Sequence, residues 1–101
     1  MSNYYSIVEV TPSSTDWIAD YIEQVTKIVA KHGGKYLART GSFDQMEGDR
    51  EKAALCVIIE WPSKEAAVGL MEDPDYAPHF KARSEGALNH HMFVEAKDDF
   101  A

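Results

Sequence analysis

Two charged strand residues and three polar helix residues supply most of the chemistry this sequence can offer. Arg39 lies in KYLARTGSF (35–43), and Glu60 falls near the end of AALCVIIEW (53–61). If both side chains emerge on one inner face, two readings stand. Arg39 binds a small carboxylate or enolate while Glu60, its pKa raised by burial, moves a proton. Alternatively the two form a structural ion pair, within one chain or across a dimer, since buried charges are nearly always paired. Tyr76, His79 and Arg83 recur at i, i+3 and i+7 and share one helix face. Tyr and His donate or accept hydrogen bonds and Arg forks onto a carboxylate, so they suit a pocket mouth. The plainer reading is a surface turn with a half-buried tyrosine.

His90-His91 invites a metal reading, but adjacent strand residues point to opposite faces and do not share one ion. No HxxxH, CxxC or HExxH spacing occurs, so neither a metal nor another cofactor is expected. His91, facing a cavity, suits a proton carrier or a haem ligand, and His90 a rim position. Cys56, the lone cysteine, sits among apolar neighbours and reads as a buried, inert thiol.

The stretch HGGKYLAR (32–39) raises the question of a phosphate loop. Such loops lead from a strand into a helix N-terminus, where N–H groups meet the anion. This one runs from a helix C-terminus into a strand and lacks a GK[ST] ending. Gly33 therefore reads as the left-handed residue after a helix.

The elements that must position these residues follow from pattern. YYSIVEV (4–10) is β-branched and aromatic and reads as a strand. Pro12 ends it, Ser13, Ser14 and Thr15 offer helix caps, and Asp16 suits the first turn. Ile18, Ile22, Val25 and Val29 then recur at helical spacing, with Trp17, Tyr21 and Ile28 beside them. Residues 35–43 and 53–61 are the second and third strands, joined by the polar DQMEGDREK (44–52). Pro62-Ser63 open a second helix and Asp73-Pro74 close it. A third helix starts near Pro78, and NHHMFVEA (89–96) is the fourth strand. The order β-α-β-β-α-α-β is α+β and ferredoxin-like, one antiparallel four-stranded sheet with helices on one face.

Side chains alternate across a strand, so each strand divides into a plain apolar set and a mixed set. The plain sets (Val8 and Val10; Tyr36, Ala38 and Thr40; Leu55 to Trp61 by twos; Met92, Val94 and Ala96) are expected against the helices. The mixed sets, including Tyr5, Ile7, Glu9, Leu37, Arg39, Cys56, Ile58, Glu60, His91, Phe93 and Glu95, are expected on the bare face. That face is too apolar to stand open in water as one patch. Pairing with a second copy predicts a homodimer, sheet against sheet, enclosing a partly polar cavity.

The 101 residues fit one domain, 1–101. The net charge is −7, with ten basic residues scattered among seventeen acidic ones, which argues against nucleic-acid and anionic-membrane partners. The start MSNYYSIVEVTPSS lacks the pattern of a secretory signal, so a cytoplasmic location is expected.

GGKYLAR, MEGD, VIIEWPSKEAA and DPDYAPHFKAR, in this order, resemble the family called domain of unknown function 1330. The resemblance spans nearly the whole chain and implies a dimeric α/β barrel. That group includes small cofactor-independent oxygenases, lactone isomerases, haem-binding enzymes and members without a known reaction. The family's polar positions fall on Arg39, Glu47, Glu60, Tyr76 and Arg83. Val68-Gly69-Leu70-Met71 depart from the aromatic residues usual in the second helix, and His90-His91 from a plainly apolar last strand.

Two functions are then expected. One is a cytoplasmic homodimer binding a small organic anion between sheet and helices, with proton-transfer or oxygenase-type chemistry and no cofactor. Arg39 would hold the anion, Glu60 or His91 would shuttle the proton, and Tyr76, His79, Arg83 and Glu47 would complete the binding residues. The other is a non-enzymatic interaction or stress-related module whose polar inner residues are structural.

Overall fold

The computed structural model describes residues 2–101. Its order is β1 (Tyr4–Pro12), α1 (Ile18–Lys31), β2 (Lys35–Thr40), β3 (Leu55–Trp61), α2 (Lys64–Glu72), α3 (Ala77–Gly86) and β4 (Ala87–Glu95). The four strands form one sheet, β2-β3-β1-β4, every neighbouring pair antiparallel. This is the ferredoxin-like α+β arrangement expected from the sequence.

Local signals set most element ends. Gly33 takes a φ of 80° just past α1, as the helix-end reading of HGGKYLAR requires. The Ser63 hydroxyl accepts from the Ala66 N–H at 3.1 Å and caps α2. Pro78 occupies the first turn of α3, where its missing N–H costs nothing. The entry to α1 differs from expectation. Its cap is Trp17, without a side-chain cap bond, and Asp20 rather than Asp16 is the acid of the first turn. The serines instead anchor the chain through their backbone, Ser13 and Ser14 N–H donating to Gly86 O. The Trp17 indole donates to Ser14 O at 2.9 Å and to Gly86 O at 3.3 Å.

The core lies under α2 and the C-terminal half of α1. Trp61 is wholly buried, surrounded by Val25, Val29, Ile59, Ala67, Leu70 and Tyr76. Gly34 lets the chain turn tightly against it: an added Cβ would stand 2.6 Å from Val29 Cγ1 and 2.7 Å from Trp61 Cζ3. Gly34→Ala is therefore expected to cost about 1–3 kcal/mol through overpacking. Thermal unfolding reads this as a drop of roughly 4–8 °C per kcal/mol.

Asp73, which closes α2, ties that turn to the end of α1. Its Oδ2 accepts from His32 Nε2 at 2.7 Å and Lys31 Nζ at 3.0 Å, and its Oδ1 from the Asp75 N–H at 2.8 Å. The His32 hydrogen bond, then the Asp75 N–H and Lys31, hold the carboxyl well below the usual range. A depressed folded pKa means this stabilisation is present above the unfolded value near about 4 and is lost as pH falls through the folded one. Asp73→Asn should lower the urea midpoint at pH 7. The two proteins should converge as the pH is taken below about 4.

The faces of the sheet follow from register, since residues paired across strands share a face. Val8 pairs with Val57 and His91, and Ser6 with Ile59 and Phe93, all toward the helices. The opposite face carries the rows Lys35–Glu60–Tyr5–Val94, Ala38–Ile58–Ile7–Met92 and Thr40–Cys56–Glu9–His90. The sequence reading assigns Arg39, His91, Phe93 and Glu95 to this bare face; the structure turns all four toward the helices. For Arg39 the cause is a bulge at Leu37: Tyr36 pairs with Ile59, but Ala38 pairs with Ile58 and Arg39 with Val57. In β4 the apolar set points outward, leaving Leu88 65%, Met92 51% and Val94 41% exposed.

Candidate functional site

Toward the N-terminal half of α1 the helix layer and the sheet enclose a cavity of about 310 Å³. Its walls are apolar, from Val8, Val10, Leu55 and Val57 below and Ile18 and Ile22 above. Its polar groups come from five elements: Ser6 on β1, Tyr21 on α1, Tyr36 and Arg39 on β2, Arg83 on α3 and His91 on β4, with Tyr76 at the start of α3. No Asp or Glu lines it, in a chain whose net charge is −7.

Arg83 is the unusual member. It is only 4% exposed, and among the described residues no carboxylate pairs with it. Its Nη2 donates to Tyr76 Oη at 3.2 Å, and Tyr76 Oη lies 3.2 Å from Tyr21 Oη. The bond between the tyrosine hydroxyls uses one of their two protons, and Arg83, which only donates to Tyr76, uses neither. The other O–H remains to donate into the cavity. Burial first, then Tyr76, pushes the ionisation of Tyr21 far up, so it stays a neutral donor.

His91 completes the polar end. Its Nε2 lies 3.0 Å from Ser6 Oγ, which accepts from the buried Trp61 indole N–H at 2.8 Å. Phe93 meets the imidazole edge-on at 5.0 Å. Burial, and secondly the charge of Arg83, lower the His91 pKa to about 4, so the ring is neutral near pH 7.

Arg39 stands at the other end and is exposed. Its guanidinium lies 3.9 Å from the centre of the Tyr36 ring, and Nη1 donates to Thr26 Oγ1 at 2.8 Å.

The structure thus brings Arg39, Tyr76, Arg83 and His91 to one cavity and leaves the other candidates outside it. Glu60 pairs with Tyr5 and Lys35 on the bare face, so within one chain it lies across the sheet from Arg39 and outside this cavity. His79 flanks α3, its Nδ1 3.9 Å from Asp20 Oδ2, because a step of three residues turns away from the line that seven residues keep. Glu47 is exposed in the β2–β3 connection, beside a shallow depression formed with Glu9 and Arg50. Cys56 lies on the bare face, its pKa raised by burial and then by Glu9. Sequence reasoning missed Tyr21 and Ser6 as site residues. The available signal was a polar side chain within each apolar face.

The family model for a domain of unknown function, DUF1330, matches residues 3–97. The chain belongs to the DUF1330 family. No curated protein matches it. Solved structures share the fold of this DUF1330 chain at low identity. A Rhodopseudomonas palustris protein of unknown function, RPA0582, superposes with a TM-score of 0.76 at 19% identity, covering 96% of this chain and 84% of that one. SnoaB, a cofactor-independent oxygenase from Streptomyces nogalater, gives 0.70 at 13% identity, covering 97% and 96%. A protein from Jannaschia described as dimeric and ferredoxin-like gives 0.64 at 13%, covering 91% and 99%. Among the described residues of this DUF1330 chain, no helix is long and apolar enough to cross a membrane.

Proposed function

We propose that the chain forms a homodimer through the bare face of its sheet and binds a small, largely apolar organic anion in the cavity beneath α1. The buried, carboxylate-free guanidinium of Arg83 carries this reading. A charge so placed is costly unless something compensates it, and an anionic oxygen from a ligand does so. Arg83 and the unspent tyrosine O–H then form a donor set where negative charge collects. Arg39 stands at the outer end, where it meets an anion on entry.

Neutral His91 is the one unprotonated base among the polar groups of the cavity. The chemistry that fits is removal of a proton next to a carbonyl: the C–H bond breaks, the proton goes to His91 and the electron pair moves to the carbonyl oxygen as an enolate. An oxygenase-type outcome, by analogy with SnoaB, needs that enolate to meet dioxygen as oxidant. The dimer is supported by the apolar stripe Ala38–Ile58–Ile7–Met92 and by the dimeric relative. A cytoplasmic location fits the sequence.

Benzenesulfonate, which stays ionised at all working pH, tests the site. An anion beside His91 favours the imidazolium and offsets the charge of Arg83, so it raises the His91 pKa from about 4. Binding then takes up a proton, and affinity should rise as pH falls from 7.5 to 5, by up to about tenfold per pH unit between the bound-state and free pKa values. His91→Asn should flatten the profile. A flat profile in the parent protein, measured by calorimetry, would remove His91 from the site.

A further inference from the structure

His91 meets the space between sheet and helices as a neutral ring, and which of its nitrogens carries the proton decides what it offers there. Two neighbours fix that proton. The Trp61 indole N–H, wholly buried, can only donate, and it donates to Ser6 Oγ at 2.8 Å. Ser6 is 1% exposed, and among the described residues its hydroxyl has one other hydrogen-bond partner, His91 Nε2 at 3.0 Å.

A serine hydroxyl has one proton to give. If Nε2 carried a proton, Ser6 would accept twice and its own proton would stay unpaired in a buried position, which is costly. If Nε2 is bare, Trp61 donates to Ser6, Ser6 donates to His91, and every proton of the chain is used. The ring proton then sits on Nδ1. That nitrogen has no protein partner among the described residues, where the inaccessible side-chain atoms without partners are Arg83 Nε and Asn89 Oδ1. Nδ1 is therefore accessible, on a ring that lines both the cavity beneath α1 and a second pocket between α3 and β4.

We infer that Ser6 is a positioning residue that holds His91 in its Nδ1–H tautomer, so that the ring meets a ligand as a neutral donor and selects an acceptor oxygen, a carboxylate or a carbonyl. The ligand belongs to the proposed function, on which this role rests; the tautomer does not. Before Nδ1 can take a carbon-bound proton, its own proton must leave to water and another must reach Nε2, against Ser6. The base form is then present in about one ring in ten or fewer.

Ring-nitrogen chemical shifts of labelled protein read the tautomer directly at pH 7, where the ring is neutral because its pKa lies at about 4. Nδ1 should be protonated and Nε2 bare, by about tenfold or more. Ser6→Thr and Ser6→Val add the same bulk and differ in the hydroxyl, so together they separate the hydrogen bond from packing. Ser6→Thr should keep the bias and Ser6→Val should lose most of it. If Ser6→Val does not fold, because the Trp61 N–H is left without an acceptor, the parent ring decides alone. A parent ring protonated mainly at Nε2 overturns the inference, as does a Ser6→Val protein that keeps the bias as strongly as Ser6→Thr. Benzoate, a small aromatic anion, tests the site separately. Failure to bind it with Nδ1–H in place would count against the anion site and leave the role of Ser6 standing, and an Nε2–H ring that binds benzoate would do the reverse.

Discussion

Arg83→Met is expected to fold more stably than the parent protein and to lose affinity for benzoate. The two effects share one cause. Arg83 is 4% exposed, its Nε is unpaired, and its only side-chain hydrogen bond among the described residues goes to neutral Tyr76. Replacing a poorly compensated buried ion by an apolar side chain of similar volume removes desolvation cost, with a gain of about 1–3 kcal/mol. Tyr76 keeps Tyr21 as a partner, so no new orphan is made at that oxygen. The same substitution removes a charged donor to the ligand, worth about 1.5–3 kcal/mol, or roughly ten- to a hundredfold in Kd. Arg83→Lys keeps the charge and loses the fork, so it should bind weakly and gain no stability. Thermal unfolding and benzoate titration of the same samples decide the matter. A less stable Arg83→Met protein with unchanged benzoate affinity would make the guanidinium a structural group and leave the cavity without an anion site.

The sequence makes the scaffold legible because local chemistry fixes it. Gly33 after Lys31-His32, Ser63 before α2 and Pro78 in α3 each mark an element end through interactions within a few residues. The helix face of Val25, Ile28 and Val29 is likewise local periodicity. The site is less legible because it depends on parity, which one residue reverses. The bulge at Leu37 carries Arg39 to the helix side and away from Glu60. In β4 the rule that the plainer set faces the core fails for a different reason. The helix side there holds a cavity that takes His91, while Met92 and Val94 stand outward on a face the isolated chain leaves open. Placing the plainer set against the helices assumes a dry core there, and this part of the layer is a cavity with a polar end. Tyr21 and Ser6 escaped notice because their partners, Tyr76 and His91, lie 55 and 85 residues away.

That outward apolar set leads to the other large effect. Ile58→Asp should convert the proposed homodimer into a monomer. Ile58 lies mid-sheet between Ala38 and Ile7, with Met92 continuing the row, so a second copy docked on this face must cover it. A twofold axis places the substitution in both copies, and each carboxylate would lose its water without gaining a cation. The nearest cations on this face stand elsewhere: Arg50 is already 2.6 Å from Glu9 Oε2, and Lys35 is paired in register with Glu60. Desolvating two unpaired carboxylates costs several kcal/mol, so the dimer dissociation constant should rise by about a hundredfold or more. The fold itself should suffer less, since Ile58 is only half-buried within one chain. Sedimentation measures the assembly, and benzoate titration of the resulting monomer adds a second readout. The cavity beneath α1 lies across the sheet from Ile58, so a monomer that binds benzoate normally would limit pairing to covering the apolar face. A monomer that folds but no longer binds would mean that the paired sheet holds β4, and with it His91, in the register the site needs. A variant that remains dimeric would place the interface elsewhere and leave the outward row of Ile7, Ile58 and Met92 without the partner proposed for it.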